Sequence, residues 1–254
     1  MLSSSGFAIA GPQALELASE AATRDLQQLE HDLVESGSLT GIDREFILRE
    51  GVVWEELQSI VSQNQIELLV LGTHGRDGIG IMLFGSVAEN AFRHADCLVL
   101  TVGPNSYPSP FSTTSPKFLF ATDFGEGSLR ALPHAISFAN HMRAKLTFLH
   151  VVPVPSIPEH PSRDILLIRD AARMAYLRRL AHLITDEQEL ALRPAYLVEF
   201  GPPSEKNCAG SLETQGRPHL HGIAPFCPVP HSSANTACEV VCNARCPVLT
   251  VRTQ

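Results

Sequence analysis

The chain has 254 residues, with 19 Lys+Arg against 27 Asp+Glu for a formal net charge of −8, and 44% of its residues are hydrophobic. That length holds one large domain or two small ones with a real core. The acidic balance argues against a nucleic-acid or anionic-membrane partner, which would want a basic face.

Six cysteines are too few and too unevenly placed for a disulfide framework. No apolar run approaches the roughly 20 residues that span a bilayer, and Met1 to Ala8 has neither the basic region nor the apolar core of a signal peptide. These features set the expectation of a reduced, cytoplasmic protein.

Residues 1–12 read as a loose tail ending in Gly11-Pro12. From Gln13, Leu15, Ala18, Ala22, Leu26, Leu29 and Leu33 recur at steps of three and four, which predicts a helix closed by Gly37. Glu45 to Gly51 reads as a short strand. Val53, Leu57, Ile60 and Val61 mark a second amphipathic helix, and 66–71 reads as a buried strand. A glycine-punctuated loop, a helix over 86–94 and a strand over Cys97–Val102 follow. The order α-β-α-β-α-β implies a parallel sheet covered by helices.

Residues 105–116 are rich in Pro and Ser and read as a linker between a first domain, 1–104, and a second, 117–254. In the second, Lys117 to Phe124 is a strand ending in an aspartate. Leu132 to Met142 reads as a helix, with Pro133 tolerable only near its start. Lys145 to Val152 is a strand stopped by Pro153. A long helix from Arg163 to Ile184 and a strand from Ala195 to Phe200 come next.

The halves repeat. Ala95-Asp96-Cys97-Leu98-Val99-Leu100-Thr101-Val102 matches Ala244-Arg245-Cys246-Pro247-Val248-Leu249-Thr250-Val251, an offset of 149 (246 − 97). The glycines closing the earlier strands lie 150 apart (201 − 51). A near-constant offset over such a span indicates a duplicated domain. Each copy lacks something. The first has no counterpart of residues 117–152, so it reads as truncated at its N-terminal side. The second has no counterpart of the glycine loop, and 217–221 makes a poor strand. Its 207–230 segment looks degenerate, through either a compensated frame shift in the coding DNA or ordinary drift, and prolines 225, 228 and 230 argue against regular structure there.

The strand at 66–71 leads into Gly72-Thr73-His74-Gly75 and, after an apolar run, Gly85-Ser86-Val87 at the head of the next helix. Glycines let backbone N–H groups crowd a ligand, and a helix N-terminus adds unpaired donors and a positive dipole end. The same turn also serves close packing in any doubly wound fold.

The spacing Gly72-x2-Gly75-x9-Gly85-Ser86 resembles the nucleotide loop of the universal stress protein family, and the motif order in both halves is similar to its domains. The resemblance implies two tandem, open, parallel-sheet α/β domains of Rossmann-like, adenine nucleotide alpha hydrolase-like type, each incomplete here, with sheet order 3-2-1-4-5. It also implies an ATP-binding stress-response function that some members have lost. Carried onto this chain, Gly72, His74, Gly75, Gly85, Ser86 and Val87 would contact phosphate, and Asp123 with Val151 or Val152 would hold adenosine. His74 is otherwise a solvated loop histidine and Asp123 a turn cap. The resemblance further implies that the final strands pair, within the chain or in a homodimer.

The two ends of the site fall in different halves. Either the first copy is completed by another chain or not at all, or strands 117–152 dock beside the first copy's strands in one composite sheet. A nucleotide-independent, dimerising scaffold is the alternative function.

His219, His221, Cys227, His231 and Cys238 have zinc-binding residue types but no standard spacing, and no metal is expected. Cys238, Cys242 and Cys246 step by four and read as small residues at a helix–strand junction. The chain has neither the Gly-Lys-Ser/Thr of a P-loop nor a Gly-x-Ser-x-Gly elbow, so no enzymatic activity is expected.

Overall fold

The computed structural model describes residues 12–72, 86–103, 106, 116–154, 162–210, 219–223 and 236–251. The chain divides into two compact units, residues 1–56 and 57–254. In the first, α1 (Pro12–Glu35) follows the expected periodicity. It stops at Gly37, whose φ of 70° is open to glycine at little cost. α2 (Val53–Gln63) begins at the end of this unit and continues into the second.

The expected strand at 45–51 does not form; residues 42–50 carry no strand pairing, and Leu48 and Val52 are exposed. Its repeat counterpart, Ala195–Phe200, is paired with Lys145–Val152, and no described residue of the first half stands in that neighbour's place. A strand sequence without a neighbour has nowhere to place its N–H and C=O groups except water.

The second unit is built on one seven-stranded sheet. Its strands are β1 (Leu68–Gly72), β2 (Leu98–Val102), β3 (Lys117–Ala121), β4 (Lys145–Val152), β5 (Ala195–Phe200), β6 (His219–Ile223) and β7 (Val248–Thr250), in the order β1-β2-β7-β6-β3-β4-β5. Every neighbouring pair is parallel except β2–β7, which is antiparallel. The helices between the strands are α3 (Ser86–His94), α4 (Glu126–His141), α5 (Arg163–Ala181), α6 (Asp186–Leu192), α7 (Pro203–Gly210) and α8 (Thr236–Asn243).

The second half thus has the order β5-β4-β3-β6-β7, a complete 3-2-1-4-5 arrangement. β6 is the correction to the expected poor strand at 217–221. It lies between β3 and β7, with Lys117 opposite His219 and His221 opposite Val248. Ladders on both sides hold a backbone whose side chains carry no strand signal. β1 is corrected in the other sense. It is an edge strand among the described residues, and Val70 is 55% exposed rather than buried.

The repeat is visible in geometry as well as in sequence. Gly51 and Gly201 share the same unusual backbone, φ 151° and 142°. At the β2–β7 junction the equivalent residues Leu100 and Leu249 stand opposite each other, flanked by Val99 opposite Thr250 and Thr101 opposite Val248. The side-chain bonds obey the same two-fold relation: Thr101 Oγ1 donates to Val248 O (3.1 Å) and Thr250 Oγ1 to Val99 O (3.2 Å). The same patch of each copy therefore meets itself.

The main core lies on α4, α5 and the central strands, with Phe120, Phe148, Leu146 and Leu180 almost fully buried. A second cluster joins α3 to α8 through Phe92, Val240 and Val241. Pro133 sits inside α4, not near its start. It removes the hydrogen bond to the Leu129 carbonyl one turn earlier, and both residues are exposed, so water can take that carbonyl.

Candidate functional site

The turn from β3 into α4 is held by a hydrogen-bond network that begins on Thr122. The Phe124 N–H donates to Thr122 Oγ1 (2.9 Å), and the two hydroxyls of Thr122 and Ser128 lie 2.8 Å apart. Ser128 Oγ is also in reach of Asp123 Oδ1 (3.0 Å) and the Gly125 carbonyl (2.9 Å). The Gly125 N–H donates to Asp123 Oδ1 (2.8 Å). Asp123 therefore caps its own turn, with its side chain at the solvent-exposed carboxyl end of a central strand. A Cβ on Gly125 would stand 3.0 Å from Asp123 Oδ1 and 3.2 Å from Oδ2. Glycine here is what lets the carboxylate fold back.

Phe124 adopts φ 62°, a costly backbone for a bulky residue. Its surroundings hold it there. The ring is buried against His150 (centroids 4.6 Å apart) and Tyr176 (6.1 Å), with the Arg179 guanidinium 4.1 Å over its face. His150 Nδ1 lies 2.8 Å from the Thr122 carbonyl, so the neutral ring donates there. Burial pulls the His150 pKa below its ordinary value. The Thr122 bond and Asp123 oppose this, and Arg179 adds to it.

Val152 ends β4, three residues beyond Leu149, the partner of β3's last residue Ala121. It packs against the main core, and its carbonyl accepts from the Gly201 N–H (3.1 Å). Asp123 and Val152 thus both stand at the carboxyl ends of neighbouring parallel strands. β3 is also where the sheet's connections turn opposite ways, toward β4 on one side and β6 on the other. Such a switch point opens a crevice at the strand ends.

The glycine-loop residues lie elsewhere. Gly72 ends β1, and Ser86 and Val87 open α3, with Val87 half-buried. His74, Gly75 and Gly85 lie outside the described residues. β1 stands four strand spacings from β3, about 19 Å across the sheet. Because β2 and β7 are antiparallel, the carboxyl end of β1 and that of β3 open on opposite edges. The structure therefore does not bring Gly72 and Asp123 together. Strands β3 and β4 do not dock beside β1, and the composite sheet of that kind does not form.

His219 and His221 are in β6, whereas Cys227 and His231 lie outside the described residues. Among the described residues no group of three or more His, Cys, Asp or Glu side chains is placed to hold a metal ion. No helix of the described residues is long and apolar enough to cross a membrane. The aromatic and arginine shelter of Phe124, drawn from α5, was not among the expected site residues. The only signal for it is the aromatic-histidine-arginine content of three separate segments.

Fold and repeat define an open-sheet α/β protein, duplicated in tandem. Residues 4–103 and 115–209 match the Universal stress protein family. The chain belongs to that family.

A universal stress protein of Methanocaldococcus jannaschii is 40% identical over 53 residues, 21% of this chain and 31% of that relative. The chain thus spans about a third of the curated relative's length. Among solved structures, a universal stress protein from Archaeoglobus fulgidus superposes with a TM-score of 0.62 at 18% identity, covering 98% of this chain and 82% of that one. A putative universal stress protein from Pseudomonas aeruginosa gives 0.57 at 19%, covering 97% and 90%. These likenesses are of fold.

Proposed function

We propose that this protein holds an adenine nucleotide by its adenosine end in the second half, and passes that state to a partner in a cytoplasmic stress response. The observation that carries the reading is the placement of Asp123 and Val152 on neighbouring strand ends at the switch point. The Asp123 carboxylate, steadied by the Gly125 N–H and Ser128 hydroxyl, is the natural acceptor for ribose hydroxyls.

Beyond β6, residues 224–235 contain three prolines and no glycine. Such a segment lacks the glycines that let backbone N–H groups crowd a phosphate, so adenosine contacts carry the affinity. ATP is then a ligand rather than a substrate, and the protein is a binding module rather than an enzyme.

The test is calorimetric titration of the full chain with ATP. Asp123→Ala is expected to weaken binding about ten- to hundredfold, the worth of hydrogen bonds to a charged group, while Gly75→Pro leaves it unchanged. Binding lost only in Gly75→Pro would move the ligand to the first half. Absence of binding in all three proteins would support a second reading, a nucleotide-independent scaffold. The two-fold β2–β7 junction favours that reading, since it joins the copies without any ligand.

A further inference from the structure

Cys238 and Cys242 lie one turn apart on α8, and both thiols are half-buried. At this spacing two side chains share one helix face with Cβ atoms about 5–6 Å apart. That is wider than the roughly 3.5–4.5 Å a disulfide needs, so closing one would distort α8. It suits a shared ion instead: two metal–thiolate bonds near the zinc–sulfur length of about 2.3 Å, set in a line, hold their sulfurs roughly 4–5 Å apart.

The repeat says what faces them. By the offset of 149, Cys238 is the counterpart of Glu89 (238 − 149) and Cys242 of Arg93 (242 − 149). In the first copy those positions form an ion pair, Arg93 Nη2 to Glu89 Oε1 at 3.0 Å. Because equivalent patches meet across the two-fold junction, α3 and α8 lie against each other, joined by Phe92 and Val240. The charges of Glu89 and Arg93 accordingly act on Cys238.

We propose that Cys238 and Cys242 form a two-coordinate thiolate site for a soft monovalent cation of the Cu(I) class, at the α3–α8 contact. Two soft sulfur donors suit such an ion better than zinc, which takes four ligands, and among the described residues no third His, Cys, Asp or Glu joins them in a group placed to hold a metal ion. Binding joins the ion to both sulfurs, releases both thiol protons to solvent and leaves the metal's oxidation state unchanged. The resulting bis-thiolate carries one negative charge beside Arg93, with Glu89 and Glu239 the nearby opposing carboxylates.

The reduced full chain is titrated with Cu(I) against a chromophoric Cu(I) chelator. One tightly held ion per chain is expected, retained in Cys208→Ser and absent in Cys238→Ser/Cys242→Ser. Each single serine variant should bind about 10²–10⁴-fold more weakly, the advantage of two ligands on one rigid element. Equal binding by the double variant overturns the site, as does no tightly held ion in the native chain. Should the double variant fail to fold, iodoacetamide footprinting of the native chain decides. Cu(I) should protect residues 238 and 242 together and leave Cys208 labelling unchanged; unprotected labelling at 238 and 242 refutes the site.

Discussion

His150 is a buried imidazole whose Nδ1–H is committed to the Thr122 carbonyl. Phe124 and Tyr176 pack against it in tilted contacts, Arg179 reaches over from α5, and Asp123 stands at the end of β3. Its folded pKa lies below the unfolded value of about 6.5, so on acidification the unfolded chain takes up the proton first. The stability contribution is present above that value and is lost as the pH falls toward the folded pKa. Thermal denaturation of the native chain should therefore show Tm falling from pH 7 to pH 5. In His150→Gln, which keeps a donor for Thr122 but does not titrate, the fall should be shallower. Identical pH profiles would remove His150 from the account.

Gly125 offers a second residue-level test. A methyl group there must displace the Asp123 carboxylate by a few tenths of an ångström. Gly125→Ala is expected to weaken nucleotide binding severalfold while changing Tm little, because the residue's own backbone is ordinary, at φ −70° and ψ 160°. A loss of Tm without a change in affinity would place its role in folding alone.

At the scale of elements, Pro133 is the local misfit. It interrupts α4 on the exposed face, where proline costs a helix interior about 3 kcal/mol relative to alanine. Pro133→Ala should raise stability in urea denaturation by about 1–3 kcal/mol; an unchanged or lower midpoint would show that proline is not a net cost at this position.

The sequence misleads at Pro133 because the helix begins further upstream, at Glu126, than its apolar periodicity reveals. Elsewhere local pattern and structure agree. α1 and β4 carry their periods openly, and the repeat at Cys97–Val102 and Cys246–Val251 is legible because both segments are core strands under the same constraints. β6 is not legible, because its backbone ladders to β3 and β7 hold it and no side-chain pattern announces them. The segment at 45–51 fails in reverse: its residues favour a strand, but the neighbour that would pair with it has no counterpart in this half. The resemblance names the candidate site residues one by one and places the two ends of the site in different halves. How those halves lie in the sheet was not legible, since it follows from one antiparallel pairing that no local pattern encodes.

At the scale of the whole sheet, that pairing governs the rest. Leu100 and Leu249 are buried, equivalent and directly opposed. Each truncation to alanine should cost about 2–5 kcal/mol. If the copies share one sheet, the two costs must couple, as cross-strand neighbours do, and the double variant should depart from their sum by at least about 0.5 kcal/mol. Additivity within about 0.3 kcal/mol would mean that the copies do not touch there.

The same pairing turns the carboxyl end of β1, with its glycine loop, away from the edge that bears Asp123 and Val152. On the proposed reading, a ligand seated at Asp123 is held by its adenosine end, with the glycine loop out of reach of its phosphates. Calorimetric titration of the native chain with ATP and with adenosine, under the same conditions, tests this most directly. The account expects dissociation constants within about threefold of each other. ATP binding a hundredfold or more tighter than adenosine, a difference of about 2.7 kcal/mol, would contradict it, because the phosphates would then carry much of the affinity.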